Sequence, residues 1–182
     1  MTLKLITDAA TEPVSLAEAK LQLRIETDIT TEDARVTRLI QAAREECEHK
    51  VGRGLLLPTW ERVIDAFPAA EIELGKPPVA AITSVIYIDE NGDSQTMDSS
   101  LYSLDADTSH GWLLPAIDTE WPATLDTANA VRIRFTVGVA TASLVPAAIK
   151  EWILLRIESL YRNKPMDSNH DRLLDRATVY GV

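Results

Sequence analysis

A chain of 182 residues with 46% hydrophobic content holds enough apolar material for a compact core, as one domain or as one domain with a sizeable insertion. Lys and Arg number 18 against 28 Asp and Glu, a formal charge of -10, so a phosphate backbone repels the chain unless one basic face is segregated. No such face is visible: Arg24, Arg35, Arg38, Arg44 and Arg53 alternate with Glu26, Glu32, Asp33, Glu45, Glu46 and Glu48, the pattern of a mixed solvated helix surface, and sequence-specific nucleic-acid binding is not expected. Cys47 is the single cysteine, which excludes an internal disulfide and a thiolate metal site. Residues 1–10 carry one Lys and no apolar run of signal-peptide length, and no later run is long enough to span a bilayer. Synthesis in the cytoplasm is the expectation, with no membrane partner.

The first helix is expected from Ser15 to about Arg24, because Ser15 and Glu18 form a capping box and Pro13 discourages an earlier start. A longer helix follows from Thr30 or Thr31, either hydroxyl serving as cap, with Val36, Leu39, Ile40, Ala43, Cys47 and Val51 at helical spacing and Gly52 as its stop. From residue 59 to residue 138 the pattern changes to short β-branched and aromatic runs, and strands are expected at 59–66, 71–74, 81–89, 101–105, 111–114 and 131–137. In the last of these Val131, Ile133, Phe135 and Val137 alternate with Arg132, Arg134 and Thr136, the signature of a half-buried strand. Helical spacing returns after Pro146, where Ile149, Trp152, Ile153, Leu155, Ile157, Leu160 and Tyr161 make a helix apolar over more than half its girth.

The reading is therefore α+β: a helical bundle of three main helices plus a C-terminal segment, with a small β-subdomain inserted. Its parts are an N-terminal helical stretch (1–58), the β-rich insertion (59–144), a helix completing the bundle (145–164) and a C-terminal docking segment (165–182). Val36, Leu39, Ile40, Trp152, Leu155 and Leu160 are the expected helical core.

Constellations that carry chemistry fail one by one. Glu46 and His49 have the Glu-x-x-His spacing of di-metal bundles, but a second pair on a facing helix is missing. Asp89-Glu90-Asn91-Gly92-Asp93 looks like a calcium loop, yet its Gly comes too early, and a hairpin turn fits better. Ser109 and His110 lie near Asp105 and Asp107 in sequence, without a nucleophile elbow. Gly52-Arg53-Gly54 ends a helix instead of opening one, so it cradles no phosphate. Trp60, Trp112, Trp121 and Trp152 suit core packing better than a stacking platform. No metal, cofactor or catalytic residue is expected; a carbohydrate-active or hydrolytic enzyme is the rival from another class.

Several stretches, taken in order, resemble the long-form head-tail connector (adaptor, or head completion) proteins of tailed bacteriophages. They are Pro13-Val14-Ser15-Leu16-Ala17-Glu18-Ala19-Lys20, Leu39-Ile40, Ala42-Ala43-Arg44, Gly52-Arg53, Thr59-Trp60-Glu61, Pro77-Pro78-Val79, Ile82-Thr83-Ser84-Val85, Trp121-Pro122, 129–135 ending at Gly138, and Val145-Pro146-Ala147-Ala148-Ile149-Lys150. The resemblance implies a ring under the portal, dodecameric in the virion and monomeric when free, linking the portal to stopper or tail-completion proteins while DNA passes through. A tail-side neck protein is the nearest alternative. The chain departs from the family at its end, where Leu173-Leu174-Asp175-Arg176-Ala177-Thr178-Val179-Tyr180 replaces a Tyr-Arg-x-Trp-like finish. Leu173, Leu174, Val179 and Tyr180 form an isolated apolar cluster behind a polar run, so the segment from about 167 to 182 is expected to be mobile until it meets the portal or a neighbouring subunit. Packing back onto its own helices is the alternative.

Overall fold

The computed structural model describes residues 2–108 and 110–177. The chain divides into two compact units, one of Met1–Ala9 with Leu57–Gly138 and one of Ala10–Leu56 with Val139–Val182.

The β-unit contains eight strands among the described residues: β1 Thr2–Thr7, β2 Thr59–Ile64, β3 Ile72–Glu73, β4 Val79–Ile88, β5 Ser94–Thr96, β6 Tyr102–Asp105, β7 Trp112–Pro115 and β8 Val131–Val137. They form an antiparallel five-stranded sheet, β1-β2-β8-β4-β5, and an antiparallel three-stranded sheet, β3-β7-β6. The alternation in β8 sets the core, since Val131, Ile133, Phe135 and Val137 are fully buried and share one cluster with Ile72 and Leu113 of the smaller sheet. On the opposite side of the large sheet Arg134 donates to the buried Glu61 at 2.8 Å, across the β2–β8 pair that sets these two residues opposite each other.

Two strands lie outside the sequence expectation. Residues 2–7 belong with the β-unit and not with the helices, and β5 is only three polar residues long. The expected turn does join β4 to β5: Asp89 accepts the Asn91 and Asp93 amide protons at 2.9 and 3.0 Å, and Gly92 takes the φ of 90° that the turn requires.

The helical unit holds α1 Leu16–Leu23, α2 Asp33–Val51 and α3 Ala147–Arg162, followed by a 3-10 turn at Ser168–Leu173. The capping box forms as read: the Glu18 amide donates to Ser15 Oγ at 3.2 Å and the Ser15 amide to Glu18 Oε2 at 2.7 Å. Neither Thr30 nor Thr31 caps α2; Glu32 stands at its N-cap with no side-chain hydrogen bond. The reason is Lys20, a buried ammonium that donates to the Thr27 and Ile29 carbonyls and to Asp33 Oδ1 at 3.0, 2.8 and 2.9 Å, pinning the connection 25–32 before the helix begins. Left-handed Gly52 and Asn163 end α2 and α3. α3 packs against both other helices. Val36, Ile40 and Trp152 are fully buried, whereas Leu39, Leu155 and Leu160 are half-buried at the margin of the bundle.

Arg44, 1% exposed, binds Glu12 Oε2 at 2.9 Å and Glu48 Oε2 at 3.0 Å, while the other oxygen of Glu48 accepts the Leu55 amide proton at 2.8 Å. The Val139 amide in turn donates to the Leu55 carbonyl at 3.0 Å, so the chain returns to this unit beside the point where it leaves.

A Cβ built on Gly111, whose φ is 66°, lies 2.4 Å from Val79 Cγ2. Gly111→Ala therefore costs about 1–3 kcal/mol in urea denaturation. Measured against Val79→Ala alone, adding Gly111→Ala should cost less, because the Cγ2 contact is gone, although the Val79 Cβ at 3.0 Å and the left-handed backbone keep part of the loss.

Candidate functional site

The groups that suggested chemistry are committed to structure. Glu46 accepts from Arg156 Nε at 2.7 Å and His49 is exposed, so the Glu-x-x-His spacing does not converge. Among the described residues no group of three or more His, Cys, Asp or Glu is placed to hold a metal ion. Asp105 Oδ1 accepts the Asp107 amide proton at 3.1 Å in the β6–β7 turn; Ser109, beside it, lies outside the described residues. A hydrogen bond from Gln95, then one from the Asp93 amide, holds the Asp89 carboxyl below the usual carboxylate range, as a turn anchor.

The tryptophans are structural. Trp121 stacks on Phe67 with centroids 5.0 Å apart and donates to the Ala70 carbonyl, while the Lys76 ammonium sits 4.9 Å above the Trp60 ring. Trp112 is half-buried in β7. The Phe67–Trp121 stack borders a cleft of about 470 Å³ whose single titratable lining group is Glu120. One carboxylate gives no acid–base pair.

The C-terminal segment differs from the sequence expectation as far as Ala177. Asp171 accepts from Trp152 Nε1 and from Lys50 Nζ, both at 2.9 Å, Leu174 is buried, and Arg53 reaches the Ala177 carbonyl at 3.4 Å. Three long-range polar contacts and one buried leucine place residues 168–177 against their own helices, the arrangement held as the alternative in the sequence reading. Leu173 is half-buried; Val179 and Tyr180 lie outside the described residues.

The sequence reading missed exposed apolar side chains. Leu5 and Ile6 on β1 are 47% and 42% exposed, Ile117 is 91% exposed on the turn after β7, and Leu21 and Leu144 protrude from the helical unit. Alternation in Thr2-Leu3-Lys4-Leu5-Ile6 was the available signal for the first two. Ile117 had the weaker one of an aliphatic residue between turn-forming neighbours.

Two solution measurements test this geometry. Hydrogen bonds from Lys50 and then Trp152 hold the Asp171 carboxyl below its ordinary value. Its contribution to docking is thus complete above the ordinary carboxylate pKa of about 3.9 and is lost as pH falls through the depressed value. Amide protection of residues 168–177, corrected for intrinsic exchange, should drop on acidification below about pH 4, and Asp171→Ala should remove it at neutral pH as well. Burial, followed by the nearby Glu48 and Glu46, pushes the Cys47 thiol up to about 12. At pH 8 native Cys47 should alkylate about a thousandfold more slowly than the denatured chain.

The family model for "Phage gp6-like head-tail connector protein" matches residues 13–108, more than half of the chain. Among curated proteins none matches. Solved structures are similar over the full length. A chain of "Neck of empty GTA particle computed with C6 symmetry" superposes with a TM-score of 0.83 at 21% identity, covering 100% of this chain and 97% of that one. A chain of "Virion of native gene transfer agent (GTA) particle" gives 0.80 at 21%, and one of "Neck of native GTA particle computed with C12 symmetry" gives 0.74 at 18%, with the same coverage of both chains. At these identities the likeness is one of fold. With the family match extending from the strand-helix junction at Pro13 through the β6–β7 turn, the chain belongs to the phage gp6-like head-tail connector protein family.

Proposed function

We propose that this protein is a non-catalytic ring subunit in the neck of a tailed phage, prophage or phage-like particle, placed under the portal and above a stopper or tail-completion protein, with DNA passing through the ring. The family match carries this reading, supported by the likeness of both units to a chain found in a neck assembly. Charge is consistent with the role: at -10 the protein does not hold a passing phosphate backbone. The titratable groups surveyed above serve caps, turns and ion pairs, which suits a subunit whose task is to be docked against.

The C-terminal segment is the portal contact in this proposal. Leu174 anchors it to the helical unit, and Leu173, Val179 and Tyr180 are the side chains offered to the portal or to a neighbouring subunit.

Co-purification with the cognate portal, followed by negative-stain imaging, tests both statements. Deleting residues 178–182 should leave the melting temperature unchanged and abolish co-purification. A truncated chain that still binds the portal normally would overturn the docking assignment. Full-length protein that ignores the portal but binds the tail-completion protein would move the subunit to the tail side of the neck.

A further inference from the structure

The two ends of the large sheet differ in charge: β1 carries Lys4, with Asp8 just beyond it, whereas the β5 end carries acids alone. Among the described residues β1 pairs only with β2, and β5 only with β4, so each leaves one side without a strand. All five Lys and Arg residues of the β-unit, Lys4, Arg62, Lys76, Arg132 and Arg134, lie on β1, β2 and β8 or just before β4. Residues 77–131 contain no Lys or Arg and nine Asp or Glu. Four of these, Asp89, Glu90, Asp93 and Asp98, flank the three residues of β5.

The β1 end is also the apolar one. Leu5 and Ile6 are 47% and 42% exposed on a six-residue edge strand, a template that soluble proteins keep covered or guarded. Lys4 is its only basic residue, and the residue opposite it, Glu61, is committed to Arg134. Beside β5, in the 3-10 turn Ser99–Leu101, Leu101 is 45% exposed and provides an apolar counterpart.

We infer that the β1 edge of one copy seats on the β5 end of a second copy, Lys4 meeting the acidic rim and Leu5 and Ile6 meeting Leu101. Pairing β1 with β1 would set Lys4 against Lys4, and pairing β5 with β5 would set acid against acid. Both self-pairings are repulsive, while the mixed pairing is attractive. A contact between two different surfaces is heterologous, and it closes a ring when its rotation divides a full turn, as the ring reading requires. This inference rests on the ring reading above and specifies which surfaces of the β-unit make the ring.

Single-cysteine substitutions in the full-length chain test it. Thr2→Cys and Ser94→Cys change exposed side chains on β1 and β5 while keeping Lys4 and the acidic rim, and the buried native Cys47, with its raised pKa, does not compete for oxidant. After mild oxidation of an equal mixture at high concentration, the expected product is a dimer containing one copy of each variant, and the doubly substituted chain should give a ladder of oligomers. Lys4→Glu should weaken self-association about tenfold, and adding Asp93→Lys should restore it. Negative-stain images of the unsubstituted protein, taken at the same concentration, separate the two levels of the proposal. Rings without the mixed cross-link overturn the β1–β5 contact and leave the ring reading intact. A mixed ladder that never closes supports the contact and overturns the ring. Homodimers of Thr2→Cys alone, or neither rings nor cross-links, overturn the inference.

Discussion

One buried cation ties the segment before α1 to α2 and, through Glu48, to the point where the chain leaves the helical unit. Arg44 receives Glu12 from the segment before α1 and Glu48 from its own helix, and Glu48 extends the network to the Leu55 amide where the chain departs for the β-unit. Leu55 then accepts from Val139 on the chain's return. The guanidinium itself holds two carboxylates from separate segments, and its rigid planar fork fixes the direction of each bond more narrowly than a rotatable ammonium does. Such a cluster gives little net stability, because desolvating the ions cancels most of their attraction; what it supplies is a fixed geometry for leaving and re-entering the unit. A bundle assembled from both sides of an insertion needs that more than it needs another leucine.

The formal charge is divided very unevenly. The helical unit carries 13 Lys and Arg against 14 Asp and Glu, while the β-unit carries 5 against 14. The helices spend their balanced charge internally, in Lys20–Asp33, Arg156–Glu46 and Arg162–Glu158 among others. The β-unit has too few cations for that, and its acids are left on turns, where Asp89, Asp98 and Asp105 each accept a backbone amide. Local turn chemistry, not ion pairing, explains why so many carboxylates are tolerated in so small a unit.

What the sequence made legible was local. The capping box at Ser15, the stop at Gly52, the hairpin turn at Asn91-Gly92 and the alternation of 131–137 depend on residues a few positions apart, and each was readable. β1 was missed because six residues of weak alternation become a strand only by pairing with β2, more than fifty positions away. β5 was missed because Ser94, Gln95 and Thr96 carry no apolar signal at all. The docking of residues 168–177 stood only as the alternative for the same reason as β1: Asp171 looks like one more solvated acid until Lys50 and Trp152 are brought to it. The functional surfaces were least legible, since an exposed Leu5 or Ile117 differs from a core residue only after the fold has decided which side faces water.

The formal charge of -10 bears directly on the ring contact proposed above. At physiological ionic strength the screening length is about 8 Å, so repulsion between the bodies of two copies at -10 each is damped, whereas a cation seated against a carboxylate at van der Waals distance is screened far less. Long-range repulsion and short-range attraction can therefore coexist between the same two molecules. Under that balance encounter is slow and the seated contact is weak for a lone pair of copies, and a template that holds copies side by side removes the encounter cost without altering the contact. An acidic subunit with one basic edge is suited to remaining apart in solution and closing when its neighbours are positioned for it.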